Sequence, residues 1–349
     1  MSHRARRSLG FLRRYGAAVP MMVILALLLV TGTAAASPRD TQQSNTIRIQ
    51  YYPGVMASLP SIAAQELGIY RRNNLNVELV PIPTAPEALA AIASGSVDLM
   101  GFTGGGAMVA NSRGLNMRAV AGMVGTQIYS VLGQKSLPAG QAFPANVRAM
   151  RGKKIGLASR GADNELVMRT LLQLAGLNAD RDVSFVALGP TTSQYAAWGA
   201  GLVDYLITVE PTTSLLTKRL GKANIVMDLR KPSRDHPFSP WLGQALFARA
   251  DTIENRKPEF NRLRNAIAQT VKYMSQPANQ KRLAPIVKTK LMNFPLRFLR
   301  NTLQDNRTIW SSKISCAQIQ AVGDWVSQTG IIPSDKVQSC AQFVWQPAR

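Results

Sequence analysis

Cysteine is nearly absent from this chain: Cys316 and Cys340 are the only two. That excludes a small disulfide scaffold and any cysteine-built metal cluster. Histidine is as scarce, and only His236 lies beyond the extreme N-terminus. One histidine beside Pro237 reads as a surface loop residue and does not suffice for a histidine-based metal site. The motifs H-E-x-x-H, C-x-x-C, G-x-S-x-G and G-x-x-x-x-G-K-[ST] are all missing, so no nucleophile elbow, zincin helix or phosphate loop is in view. No catalytic residue, metal or cofactor is therefore assigned. Acidic residues are also sparse, 19 against 41 Lys and Arg. Yet no basic run is interleaved with aromatics, which argues against a nucleic-acid partner and for a solvated basic surface that modestly steers anionic solutes.

The N-terminus reads as a processing signal. Arg4, Arg6, Arg7, Arg13 and Arg14 precede an apolar run from Ala17 to Val30, and Ala34-Ala35-Ala36 supplies small residues for cleavage before Ser37. A retained anchor is the alternative, because Tyr15 to Ala36 carries no charge and nearly reaches bilayer length. Removal of residues 1–36 leaves 36 Lys and Arg against 19 Asp and Glu, a formal charge of +17. Residues 37–45 are polar and read as a disordered start. An exported chain with two cysteines has one intramolecular pairing open to it, so Cys316 and Cys340 are expected to form a disulfide.

Two stretches repeat at an offset of 106 residues. Val77–Met100 and Val183–Leu206 align without a gap and share Val77/Val183, Val80/Val186, Ala90/Ala196, Ala91/Ala197, Gly95/Gly201, Val97/Val203 and Asp98/Asp204. Each reads as strand, turn, short helix, glycine, strand. A repeat this long points to two similar α/β lobes with a cleft between them. Strands are expected at Thr46–Tyr51, Asn76–Val80, Val97–Gly101, Met117–Met123, Gln127–Gly133, Lys154–Ala158, Val183–Leu188, Val203–Val209 and Leu242–Arg249. Helices are expected between them, and Glu259–Ala341 reads as largely helical. Alternation of strand and helix predicts mostly parallel sheets covered on both faces. Ligands then sit outside the carboxyl ends of the strands.

The order of several short motifs carries a family likeness. Ala63-Ala64-Gln65-Glu66-Leu67-Gly68-Ile69-Tyr70, Asn74-Leu75-Asn76-Val77-Glu78-Leu79, Ala93-Ser94-Gly95-Ser96-Val97-Asp98, Arg151-Gly152-Lys153-Lys154-Ile155-Gly156, Gly201-Leu202-Val203-Asp204 with Glu210-Pro211, and Trp325–Ile332 occur in sequence. Together they resemble the nitrate/sulfonate/taurine-type (SsuA-like) periplasmic solute-binding proteins. The resemblance implies an α/β, two-lobed type II periplasmic-binding fold with two crossover hinge strands, running through Ser130–Gly133 and Leu242–Leu246. Residues 46–130 with 240–349 would form one lobe and 131–239 the other. It further implies a monomeric periplasmic receptor for a small polar solute, anionic or zwitterionic, with an ABC transporter permease as partner. An enzyme on the same fold and a membrane-anchored sensing module are the competing readings.

The strand-end loops supply the candidate ligand contacts. Helix N-termini present unpaired N–H groups that suit oxyanions. Gly104 and Gly105 allow close approach, and Gly161 sits in the polar turn Ser159–Asp163. Ser58, Thr103, Ser159, Thr191 and Thr192 offer hydroxyls, each of which can equally be a cap or turn residue. Tyr51, Tyr52 and Trp241 can wall the pocket or belong to the core, and Arg160 can offer a cation or lie in solvent. Glu210 and Asp163 are either cleft carboxylates or helix-opening acids. A carboxylate facing the cleft would repel a simple anion and suit an amine, a zwitterion or a donor-rich solute.

Overall fold

The computed structural model describes residues 46–138, 140–233 and 236–346. The expected export segment and residues 37–45 lie outside them. The described chain begins with β1 (Thr46–Tyr51), α1 (Leu59–Glu66), β2 (Asn76–Pro81), α2 (Ala85–Ala93), β3 (Leu99–Phe102), α3 (Gly104–Ser112) and β4 (Met117–Val124). It continues with β5 (Tyr129–Gln134), β6 (Lys154–Leu157), α4 (Asp163–Leu174), β7 (Ser184–Ala187), α5 (Thr191–Gly199), β8 (Tyr205–Val209) and β9 (Ala223–Asp228). Then come β10 (Gln244–Arg249), α6 (Lys257–Met274), α7 (Gln280–Lys290), α8 (Leu296–Asp305) and α9 (Cys316–Gln328).

The strands make two sheets of one pattern, β2-β1-β3-β10-β4 and β7-β6-β8-β5-β9. In each, the central strand pairs are parallel on one side, while β10 or β5 runs antiparallel to both neighbours. The 106-residue offset is a structural repeat. It carries α2 onto α5 residue for residue and the start of β4 onto the start of β9. The shared aspartates do one job twice. Asp98 accepts the Arg48 N–H at 2.7 Å, and Asp204 accepts the Lys154 N–H at 2.8 Å, tying each strand-entry turn to the strand beside it. Gly95 and Gly201 both hold positive φ, at 74° and 68°, in the turn after the helix. Strand β9 is not among those expected from the motifs, although the same offset applied to β4 points to it.

Alternation explains β1. Ile47 and Ile49 of β1 are fully buried while Arg48 between them is half-exposed. Helix α6 buries Phe260, Leu263, Ile267, Val271 and Met274, a 3.6-residue stripe, and each such side chain contributes about 1.5–3 kcal/mol of apolar burial. One continuous core runs through both sheets, and Trp198, Leu132, Val203, Leu206, Leu216 and Ala223 form a second one. Cys316, opening α9, is disulfide-bonded to Cys340 as expected. Among the described residues no helix is long and apolar enough to cross a membrane.

The chain passes between the sheets at 125–128 and again at 229–243. These crossings precede the segments expected to act as hinges: Ser130–Gly133 lies inside β5, and Leu242–Leu246 runs into β10. At Gly243 the two crossings touch. A Cβ there would stand 1.7 Å from the Thr126 carbonyl oxygen, so only glycine fits.

Candidate functional site

The parallel strands of both sheets end at one cavity. Its wall includes Tyr52 and Val55 after β1, Phe102 at the end of β3 and Thr103 after it, Ser159 and Asp163 after β6, Thr191 after β7 and Thr208 in β8. Its water-accessible space is about 110 Å³. The lobes meet around it. The Met56 N–H donates to the Glu210 carbonyl at 3.0 Å, the Thr191 hydroxyl to the Gly54 carbonyl at 3.3 Å, and the Trp325 indole to Thr170 Oγ1 at 2.7 Å.

Of the residues expected from the sequence, Tyr52, Thr103, Ser159, Asp163 and Thr191 stand on this wall. The others do not. Ser58 is buried and its Oγ accepts the Tyr52 N–H at 3.0 Å, which fixes the strand-end turn; it makes no side-chain cap on α1. Gly104 packs on the Leu242 carbonyl. Gly105 leaves room for protein side chains: a Cβ would stand 2.6 Å from the Trp325 ring and 2.7 Å from Asp163 Oδ1. Gly161 holds φ 72° and donates its N–H to Glu165. Thr192 is exposed.

Glu210 also lies off the wall. Its carboxylate is ion-paired with Arg230 and accepts from the Ser214 N–H at 3.1 Å and the Ser214 hydroxyl at 3.0 Å. The Asn306 amide, just after α8, approaches it at 3.4 Å. Of its two sequence readings, this geometry is that of the helix-opening acid. Arg160 pairs with Glu165 and lies over the Phe185 ring. Trp241 is buried edge-on against Phe238 and Trp325 instead of facing the cavity. His236, expected on the surface, is buried beside Phe238.

Wall residues not expected from the sequence include Tyr129, Ile128, Gln194 and Gln244. Tyr129 opens β5 and Gln244 opens β10, the two antiparallel strands. Their amino ends therefore reach the edge where the other strands have carboxyl ends. Antiparallel pairing was the missing signal, and nothing local in the sequence announces it. Gln194 is held in place by its bonds to Gly189 and Thr208, at 3.1 and 2.6 Å.

Asp163 is the charged group of this wall. It begins α4 in one lobe and reaches the N-terminus of α3 in the other. Burial raises its carboxyl pKa from 3.8 to about 6, against the opposing pull of the Thr103 and Tyr129 hydroxyls and the Gly106 N–H. Those groups lie near, yet neither carboxylate oxygen has a hydrogen bond of good geometry. The hydroxyls of Tyr52 and Tyr129 are pushed well above the usual phenol range by burial first and the Asp163 charge second. No Lys or Arg lies among the described residues of the wall. Among the described residues no group of three His, Cys, Asp or Glu could hold a metal ion.

The model of the NMT1-like family matches residues 40–288. No curated protein matches the sequence. Among solved structures, the alkanesulfonate-binding protein SsuA from Xanthomonas axonopodis pv. citri, bound to MOPS, is 21% identical with a TM-score of 0.68, over 86% of this chain and 98% of that one. The periplasmic aliphatic sulphonate binding protein SsuA from Escherichia coli is 18% identical at a TM-score of 0.66, over 86% and 97%. The periplasmic nitrate-binding protein NrtA from Synechocystis PCC 6803 is 15% identical at 0.68, over 84% of each. The expected two-lobed type II periplasmic-binding fold and the SsuA-like resemblance stand on these matches.

Proposed function

The chain belongs to the NMT1-like family, and on that premise we propose that it is an extracytoplasmic receptor for an ABC importer. It captures a small polar solute between its lobes and presents the loaded form to a permease. The observation that carries this reading is the cavity's composition: both lobes contribute wall residues, and both donate bonds across its margin. A solute touching both lobes can drive closure. Turning an open-to-closed ratio of 99:1 into 1:99 needs about 5.5 kcal/mol of differential binding. A micromolar ligand supplies about 8 kcal/mol in total, so closure at that affinity requires contacts from both sides. We take residues 46–130 with 240–349 and residues 131–239 as the moving lobes, and the product of cleavage before Ser37 as a periplasmic monomer. The solute is expected to leave unchanged, as a receptor's does and an enzyme's substrate does not.

The test is native mass spectrometry of protein purified from the periplasm without refolding, followed by scattering on stripped and reloaded protein. A co-purifying mass that returns intact, starts its carrier at or near Ser37 and shrinks the radius of gyration supports the receptor. Turnover of that solute, or an unchanged radius at saturation, argues against it.

A further inference from the structure

Four polar atoms of the described wall residues have no hydrogen bond of good geometry: both Asp163 oxygens, although the Thr103 and Tyr129 hydroxyls and the Gly106 N–H lie beside them, the Tyr52 hydroxyl and Gln244 Nε2. Buried polar groups in folded proteins are nearly always paired. A cluster of unpaired ones on a single wall marks what the missing partner must offer. Asp163 is 4% exposed and presents acceptors only while ionised. Gln244 presents a donor, and Tyr52 can do either. The remaining wall is mainly apolar, with Val55, Phe102, Ile128, Ile207, Pro83 and Pro190. No cation among the described wall residues offsets Asp163. A simple oxyanion placed here meets an unneutralised carboxylate in a desolvated site, where repulsion is least screened.

Resting on the receptor reading, we propose that the solute is a compact, partly apolar molecule whose head carries N–H donors, as an amine, an amidine or a zwitterion's ammonium group does. Asp163 accepts from that head, and Gln244 Nε2 and Tyr52 bond an acceptor elsewhere on the molecule. Of the anionic and zwitterionic solutes expected from the sequence, only the zwitterion meets these demands. About 110 Å³ of water-accessible space is several times the 10–15 Å³ one water needs, which corresponds to a solute of roughly ten non-hydrogen atoms.

Titration calorimetry with probes on one ring and different heads tests the assignment: benzylamine, benzamidine, benzamide, benzoate and benzenesulfonate, with nitrate alongside. Wild-type protein should bind benzylamine and benzamidine at least tenfold more tightly than benzoate, benzenesulfonate or nitrate. Asp163→Asn, with its fold checked by circular dichroism, should shrink that ratio at least tenfold. Wild-type protein alone gives an independent readout. Benzamidine affinity should fall as Asp163 takes up its proton between about pH 7.5 and about pH 5, while benzamide affinity stays level. Tyr52 and Tyr129, the other titratable groups facing Asp163, remain neutral throughout this range. Preference for the anionic heads, or a ratio that Asp163→Asn leaves intact, overturns the solute class while leaving a receptor standing. Binding of no probe at tens of millimolar overturns both the size and the class assigned here.

Discussion

Replacing Asp163 by Asn should stabilise the folded chain at neutral pH relative to its stability in acid. Burial lifts this carboxyl from 3.8 to about 6 in the folded chain, whereas unfolding returns it to water and a pKa of about 3.9. Between those values the folded state holds the proton more tightly. Stability therefore falls as pH rises from about 4 to about 6, and the deficit stays constant above. Two pKa units at 1.36 kcal/mol each amount to about 3 kcal/mol, which in a chain of this size is about 5 °C in Tm. The Asn amide neither titrates nor carries charge, and any contact it gains or loses shifts stability equally at every pH. The diagnostic is therefore the change in the gap between variant and wild type. Urea unfolding of both, followed by circular dichroism at about pH 4, 5, 6 and 7.5, should show the gap widening by about 3 kcal/mol in favour of Asn. Glu165, two residues along α4, is held by Arg160 and Arg169 in both proteins, so it should cancel in the comparison. A gap that is flat with pH, or that narrows above pH 5, would refute the claim that an ionised Asp163 is buried against α3 without full compensation.

Glu210→Gln should cost about 2 kcal/mol in denaturant titration, less than the 3–5 kcal/mol of a wholly broken buried pair, because Arg230 keeps Asp228 at 2.7 Å. The same variant should bind benzamidine as wild type does, since Glu210 stands off the cavity wall. Replacing Cys316 and Cys340 together by serine should lower stability by about 3.5 kcal/mol on the chain-entropy model for a loop of this length, and thiol titration of the unfolded, unreduced wild type should find none. Gly243→Ala should cost about 3 kcal/mol, because the new methyl group would stand 1.7 Å from the Thr126 carbonyl oxygen and one crossing must shift to admit it; a melting temperature equal to wild type would show that the crossings are slack.

The architecture was legible because it is written locally and twice. Period-two alternation in Thr46–Tyr51, a Pro within the first turn of α1 and a glycine after each repeat helix fix elements from neighbours a few residues apart. The gapless echo at 106 residues pointed to two lobes of one design, and the paired aspartates do the same work in both: each closes the same backbone turn. The disulfide followed from there being only two cysteines. Five of the wall residues were reachable too, because a loop leaving the carboxyl end of a parallel strand must open toward that edge of its sheet.

What the sequence left open depended on pairing and on side-chain direction, which no local pattern encodes. Tyr129 and Gln244 come to the cavity only because β5 and β10 insert antiparallel between strands distant in sequence. Glu210 and Asp163 look alike in the sequence, each an acid opening a helix. Tertiary structure separates them: Arg230, twenty residues on and across a strand, claims Glu210, while Asp163 reaches Gly105 with no Lys or Arg among the described residues of the cavity wall. The glycine run Gly104–Gly106 reads as a cradle for a ligand, yet its space is taken by Leu242, Trp325 and Asp163 of the protein itself. Local chemistry thus determined the elements, the two lobes and the edge where they meet. Long-range packing decided which carboxylate is neutralised by an arginine and which one stands on the cavity wall.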